Sequence, residues 1–368
     1  MRILVCSLEA PFPPINGFRL HLIPLLEELR KRHEVRVVGF RYRDQRDAPG
    51  DDPAVRLFPR PSTLLWGKAR DLPVALLTHE PLGARRLAGR LRRAVREELE
   101  RFDPDVVHVT PGELALLADD LGSRPSVLVA MDAWNLNVEA SVRVTTGVRR
   151  ALLRRQLEWV RRFEATRFRW FGATVVVSDE DRRALLALDP TLRIHAIPNG
   201  VDVGRFAPDP SAPKDPDRIV FTGVMRHAPN VAAAEFLARS ILPMVRAARP
   251  SARLALVGRN PSPQVQALAE LDGVDVTGVV PDMRAWLVGS AVYACPMVSG
   301  TGIKNKLLEA MPAGCRASPR RSVCRGCGWR TDERSWSGPT SASWPEPSSA
   351  FWTTPSWPRR RAVPLAST

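Results

Sequence analysis

Residues 296–314 read PMVSGTGIKNKLLEAMPAG, and the fold of the chain is decided by how this stretch is read. It follows Ala291–Cys295 (AVYAC), a short apolar run with the pattern of a buried parallel strand. Pro296 ends that strand, Ser299–Gly302 supplies a glycine turn, and Lys304–Met311 has a helical pattern that turns Leu307, Leu308 and Met311 inward. Strand, glycine turn and helix together suit a phosphate, because small residues let backbone N–H groups approach it and the helix start adds partial positive charge. Lys304 and Lys306 add full charges, and Glu309 is a carboxylate placed for ribose hydroxyls. The same pattern also fits a plain βα unit with solvated lysines, since glycine-rich turns are common.

Working outward, the chain begins with the same grammar. Arg2–Ser7 predicts a strand, Leu20–Arg32 a helix with Leu22, Leu25, Leu26 and Leu29 on one face, and Glu34–Phe40 a second strand. A βαβ opening implies a parallel sheet. Asn16-Gly17 sits at the strand-to-helix turn, where such a sheet places a ligand. Residues 45–80 are polar and proline-bearing and are expected to be loop with a little strand. Arg85–Arg101 predicts a basic helix. Val106–Val109 predicts a strand whose His108 is read as structural rather than catalytic. Ser126–Ala130 predicts a strand that ends at Met131-Asp132-Ala133-Trp134, a cleft position. Val148–Phe171 predicts a long helix rich in Arg, Trp and Phe; it is either a membrane-facing helix or a solvated basic face over an aromatic stripe. After Ala173–Ser178, a turn-rich crossing at Ile197–Asp202 and a proline-rich linker, a second series opens: strand Ile219–Gly223, helix Val231–Arg249, strands Arg253–Gly258 and Val274–Gly278, and helix Met283–Gly289.

The 368 residues suggest two domains. No run of 18 apolar residues is present, and Met1–Cys6 enters a strand pattern directly rather than a signal peptide. Five cysteines, three of them late, do not make a disulfide framework, and a reducing cytoplasmic setting is expected. The formal charge of +15 raises nucleic acid, membrane and phosphorylated substrates as partners. The basic residues are dispersed over helices without a helix-turn-helix or RNA-binding aromatic pattern, so no nucleic-acid partner is expected. Cys324-x-x-Cys327 lacks a second pair, and no metal site is expected.

IPNGVD at 197–202, FTG at 221–223, HAPNV at 227–231, LVGRNP at 256–261, VTGVVPD at 276–282 and GTGIKNKLLEAMPAG at 300–314 fall in the order of one family. Over residues 1–314 the chain resembles a retaining GT-B glycosyltransferase of family 4, of the kind that serves exopolysaccharide or cell-surface sugar assembly. The resemblance implies an α/β fold of two Rossmann-like domains: residues 1–200 binding acceptor, 201–216 linking, and 217–314 a partial nucleotide-sugar domain. It implies transfer of a sugar, with retention, from a nucleotide sugar to a lipid-linked or glycan acceptor. No cofactor is needed, and the site would be cytoplasmic and peripheral at the inner face of the plasma membrane. The family's acidic pair is spaced as Thr301 and Glu309 are here. Glu309 matches the ribose-binding member, Thr301 replaces the other, and Lys304 or Lys306 compensates at the phosphate. The family places an Arg and a Lys in the loop after the first strand of the second domain; Arg226 and His227 are the nearest candidates here, with no Lys present, and Asn230 begins the following helix either as a ligand or as its cap. Asp132 keeps half of a His–Asp pair, Met131 replacing the His. Asn16-Gly17 is what remains of a Gly-Gly loop. The implied catalytic residues are Asp132 and Lys304. The implied donor-binding residues are Asn16, Gly17, Arg226, Asn230, Gly258, Thr301, Gly302, Lys306 and Glu309. An inactive protein that binds a nucleotide sugar or nucleic acid is the alternative.

Residues 315–368 break the pattern. They hold five of the ten Trp and three of the five Cys, with almost no aliphatic periodicity. Disorder is poor in Trp and Cys, and a folded βα half needs aliphatic strands. Reading each codon as the last base of one and the first two of the next turns Cys and Trp into Leu, Val or Met, Arg into Ala, Pro or Thr, and Ser into Val, Leu, Ile or Phe. So shifted, Cys315–Val323 permits a buried strand, Thr331–Trp336 a loop, and Ser348–Arg361 a helix. A single-base frameshift near codon 315 is therefore expected, leaving the second domain incomplete, its tail poorly ordered and its activity impaired.

Overall fold

The computed structural model describes residues 1–11, 17–41, 52–60, 65–297, 305–313 and 316–319. Among the described residues there are two parallel sheets. The first has seven strands in the order β3-β2-β1-β4-β5-β6-β7. These are β1 (Arg2–Ser7), β2 (Glu34–Arg41), β3 (Val55–Pro59), β4 (Val106–Thr110), β5 (Ser126–Met131), β6 (Ala173–Val176) and β7 (Ile194–Ala196). Its helices are α1 (Gly17–Arg30), α2 (Leu65–Thr78), α3 (Ala84–Arg101), α4 (Ala118–Leu121), α5 (Trp134–Val144), α6 (Gly147–Arg167) and α7 (Asp179–Leu188).

The central strands β1 and β4 are buried on both faces, as parallel strands are when helices cover each side. Ile3 and Val5 turn to one face and pack with Val35, Val37 and the α1 residues Leu22 and Leu26. Leu4 and Cys6 turn to the other, with Val38, Val107 and the α3 residues Leu91 and Val95. His108 lies opposite Val5 in the register and is buried. Burial, reinforced by the charge of His21, pushes its imidazole down to about 4.

The second sheet has the order β10-β9-β8-β11-β12. It comprises β8 (Asp215–Thr222), α8 (Ala228–Phe236), α9 (Leu242–Ala248), β9 (Arg253–Val257), α10 (Pro263–Gln266), β10 (Val274–Gly278), α11 (Met283–Val288), β11 (Ser290–Cys295), α12 (Asn305–Ala310) and β12 (Arg316–Pro319). The α8 and α9 segments are one helix with a π turn at Leu237–Ile241 in place of the continuous helix expected over Val231–Arg249. Pro243, at the start of α9, supplies the reason: it has no N–H to donate and its ring crowds the preceding turn. Where β8 and β9 end, the backbones touch. A Cβ on Gly258, whose φ is +150°, would lie 1.8 Å from the carbonyl oxygen of Gly223.

Three expectations change. Residues 45–80 are not only loop and strand, because α2 occupies 65–78 with Pro73 inside it. Ala75 is buried and Asp71 pairs with Arg86 at 2.9 Å, so packing outweighs the proline. The elements α5, α7 and β7 carry the chain where no element was expected. The second sheet also continues past residue 314, since β12 pairs in parallel with β11 from Val292↔Arg316 to Cys295↔Pro319. Much of the basic charge of α3 is paired: Arg92 and Arg96 reach Asp120 at 3.1 and 2.6 Å, Arg93 reaches Glu97 at 3.0 Å and Arg86 reaches Asp71 at 2.9 Å.

Two outcomes are expected. His108 is neutral when folded and has an ordinary value of 6.5, so its contribution to stability is full above that pH and is lost as pH falls through about 4. Thermal unfolding of His108→Leu should therefore depend less steeply on pH across this window than the parent; equal slopes would refute the assignment. Gly258→Ala should cost about 3 kcal/mol or more, because backbone rather than a side chain must yield. A melting temperature within error of the parent would show the contact to be relaxed.

Candidate functional site

Both sheets place their polar residues at the carboxyl ends of the strands, the edge where open parallel sheets bind ligands. In the second sheet the switch in strand order falls between β8 and β11, and the candidate residues gather there. Lys306, on α12, donates to Asn230 Oδ1 at 2.7 Å, and its Nζ lies 4.7 Å from the centroid of the Phe221 ring. Asn230 Nδ2 donates in turn to the Val224 carbonyl at 3.0 Å. The residue that caps α8 is His227, so Asn230 is inside the helix and is not its cap. Gly223 is the gap beside them. A Cβ there would come within 2.7 Å of Asn230 Nδ2 and 3.1 Å of Lys306 Nζ. Below, Tyr293 is fully buried and shares a hydrogen bond of 3.1 Å with Thr222.

Glu309 lies one turn beyond Lys306. Burial raises its carboxyl above the usual range, while Arg205 and Lys306 pull the other way. Gly258 closes β9 against Gly223, and its N–H donates to Gly278 O at 3.0 Å. Arg226 is exposed on the loop between β8 and α8. The structure thus brings Asn230, Gly258, Lys306 and Glu309 to one strand edge, with Arg226 on the loop above. Asn16, Thr301, Gly302 and Lys304 lie outside the described residues; Gly17 opens α1. The chemistry available is a cation fixed by an amide, next to exposed backbone, which suits a phosphate oxygen.

Asp132 belongs to a different place. A cavity of about 290 Å³ lies at the carboxyl edge of the first sheet, beyond β4, β5 and β6. Glu113 follows β4, Asp132 follows β5, Asn137 comes from α5, Glu164 from α6, and Asn199 from the crossing that leads to the second sheet. Phe18, Trp134 and Phe168 complete the walls with apolar surface. Met131, in the position before Asp132, has φ 68°, a conformation that L side chains rarely adopt and that clusters at functional sites.

Glu164 is the best-determined group here. Its carboxylate accepts Trp134 N at 2.6 Å, Asn135 N at 3.2 Å and Asn135 Nδ2 at 2.7 Å, holding the first turn of α5. Burial nonetheless pushes it up to about 7, against those hydrogen bonds. Burial also raises Glu113. Sequence reasoning found Asp132 and missed Glu113, Glu164, Asn137 and Phe18. The only signal was Glu164, one of two Glu within an arginine-rich helix, and the fold is needed to show which way it faces. No group of His, Cys, Asp and Glu among the described residues is arranged to hold a metal.

Two family models match in succession: Glycosyltransferase Family 4 over residues 15–205 and Glycosyl transferases group 1 over residues 216–317. No curated protein matches the chain. Among solved structures, sucrose-phosphate synthase from Thermosynechococcus elongatus aligns with a TM-score of 0.61 at 15% identity, over 86% of this chain and 80% of that one. HepE of Anabaena, in complex with UDP and glucose, aligns with a TM-score of 0.55 at 14% identity, over 88% and 81%. WaaG, a glycosyltransferase involved in lipopolysaccharide biosynthesis, aligns with a TM-score of 0.57 at 16% identity, over 86% and 80%. Since the first model alone spans more than half of the chain and the second continues it, this protein belongs to glycosyltransferase family 4 and is a glycosyltransferase of the GT-B type.

Proposed function

We propose that the chain transfers a hexosyl unit from a nucleotide sugar to a lipid-linked or polysaccharide acceptor, with retention of configuration, in exopolysaccharide or cell-envelope assembly. The observation that carries this reading is the Lys306–Asn230 pair facing the bare backbone of Gly223 at the strand switch. HepE, solved in complex with UDP and glucose, supports a nucleotide sugar as donor. Residues 1–200 act as the acceptor domain and residues 217 onward as the donor domain.

Lys306, Lys304 and Arg226 face the diphosphate, Glu309 the ribose, and the backbone of Gly223 and Gly258 lets the donor approach. Asn16, Gly17, Thr301 and Gly302 are further donor-binding residues of this reading. The acceptor hydroxyl attacks the anomeric carbon from the face the diphosphate leaves. The bond from that carbon to the phosphate oxygen breaks, the new glycosidic bond forms, and the hydroxyl proton passes to the leaving phosphate. The cations stabilise the charge that develops there. Asp132, in the first-sheet cavity, orients the acceptor hydroxyl.

The first turns of α6 support membrane contact. Arg149, Arg150 and Arg154 are exposed beside Val148 (79% exposed) and Leu152 (60%), a pairing suited to an anionic inner leaflet. No helix among the described residues is long and apolar enough to cross a membrane. The composition of residues beyond 315 supports a single-base frameshift, and with it impaired transfer by the chain as written.

Two experiments test this. Calorimetry of UDP and GDP with the full chain should show Glu309→Ala and Lys306→Ala each weakening binding about tenfold or more, the value of one charge-assisted hydrogen bond. Unchanged affinity in both variants would remove the donor assignment. Resequencing the gene across codons 310–320 should reveal one missing or extra base; a confirmed frame whose 368-residue product is stable and active would falsify the frameshift.

A further inference from the structure

The first-sheet cavity contrasts with the rest of the protein. The chain carries a formal charge of +15, yet among the described residues the cavity is lined by three carboxylates, Glu113, Asp132 and Glu164, and by no Lys, Arg or His. Its volume of about 290 Å³ is at the lower bound of ligand pockets, roughly 300–1,000 Å³, and fits one sugar ring with a few waters. Aromatic walls suit the C–H faces of a pyranose, and Asn137 and Asn199 add amides that both donate and accept.

From this lining we infer that the cavity seats the reacting sugar of the acceptor, that this sugar carries no negative charge, and that Glu113 and Asp132 enforce the choice. The inference rests on the glycosyltransferase reading and narrows its acceptor: a phosphate, pyrophosphate or uronate would have to enter among like charges in a partly desolvated space. Arg60 interacts electrostatically with Glu113 but does not line the cavity. Glu164 holds the start of α5, and Glu113 and Asp132 are the other two carboxylates of the lining. A lipid carrier's pyrophosphate is thereby placed outside the cavity, with at least one neutral sugar between it and the new bond.

The test is saturation-transfer NMR on the full chain, with UDP present to fill the proposed donor site. Methyl glucopyranoside is compared with methyl glucuronopyranoside, which replaces its terminal CH₂OH with a carboxylate. The glucoside should bind about tenfold more tightly or better. Glu113→Gln should narrow that ratio, and Asn137→Lys, which brings a cation into the cavity, should reverse it. Equal or tighter binding of the glucuronide by the parent, no binding of the glucoside, or a ratio unmoved in both variants would overturn the inference. The signals of UDP separate the two possible failures. If UDP binds while the sugar preference is absent, the glycosyltransferase reading stands and this inference falls. If UDP does not bind, the reading beneath it falls as well.

Discussion

The contact between Gly223 and Gly258 is the constraint on which the second half of the molecule depends. Two adjacent parallel strands end with their backbones in van der Waals contact, a spacing that no Cβ at residue 258 would permit. That closeness sets the exit of β8, and the exit of β8 sets everything above it. Phe221 presents its ring to Lys306, Gly223 leaves bare backbone at the edge, and the Val224 carbonyl fixes the amide of Asn230. Asn230 then holds Lys306 by its ammonium group. The side chains that matter most are thus positioned by two residues that have none.

The two sheets share a topology and differ in electrostatics. Each strand order turns at one point, and each collects polar groups at the same edge. One edge holds a cation locked by an amide, and the other holds buried carboxylates raised in proton affinity. Much of the remaining positive charge does not enter this contrast, because arginines of α3 and β3 are paired with Glu97, Glu98, Asp119 and Asp120.

Strands made of unbroken apolar residues were legible in the sequence: β1, β4, β8, β9 and β11 fall where their Val, Ile and Leu runs predict. The long α6 was legible from length alone. The helix α2 was not, because Pro73 and scattered polar residues hide a segment whose Asp71 is tied to Arg86 of α3. The edge where β8 meets β11 was half legible. Lys306 and Glu309 follow from a motif, but the partnership of Lys306 with Asn230 spans 76 positions, and no local pattern encodes it. The cavity was least legible. Glu113, Glu164 and Asn199 come from three elements, and only the fold brings them together.

The arginine pairs that quiet α3 have a meaning at the level of the gene. Of the 54 basic residues, 49 are Arg and 5 are Lys. The fold alone does not demand that ratio, since many of these side chains are exposed and lysine would serve. Arginine is written mainly with CGN codons and lysine with AAA and AAG, so such a bias marks DNA rich in guanine and cytosine. The three stop codons are rich in adenine and thymine, and they are scarce in the shifted frames of such DNA. A slipped frame can then run far before it terminates, translating into arginine, proline, serine and tryptophan as it goes. The guanidinium groups that neutralise one face of the folded protein are, in nucleotide terms, the reason that a single lost base could pass through dozens of codons unchecked.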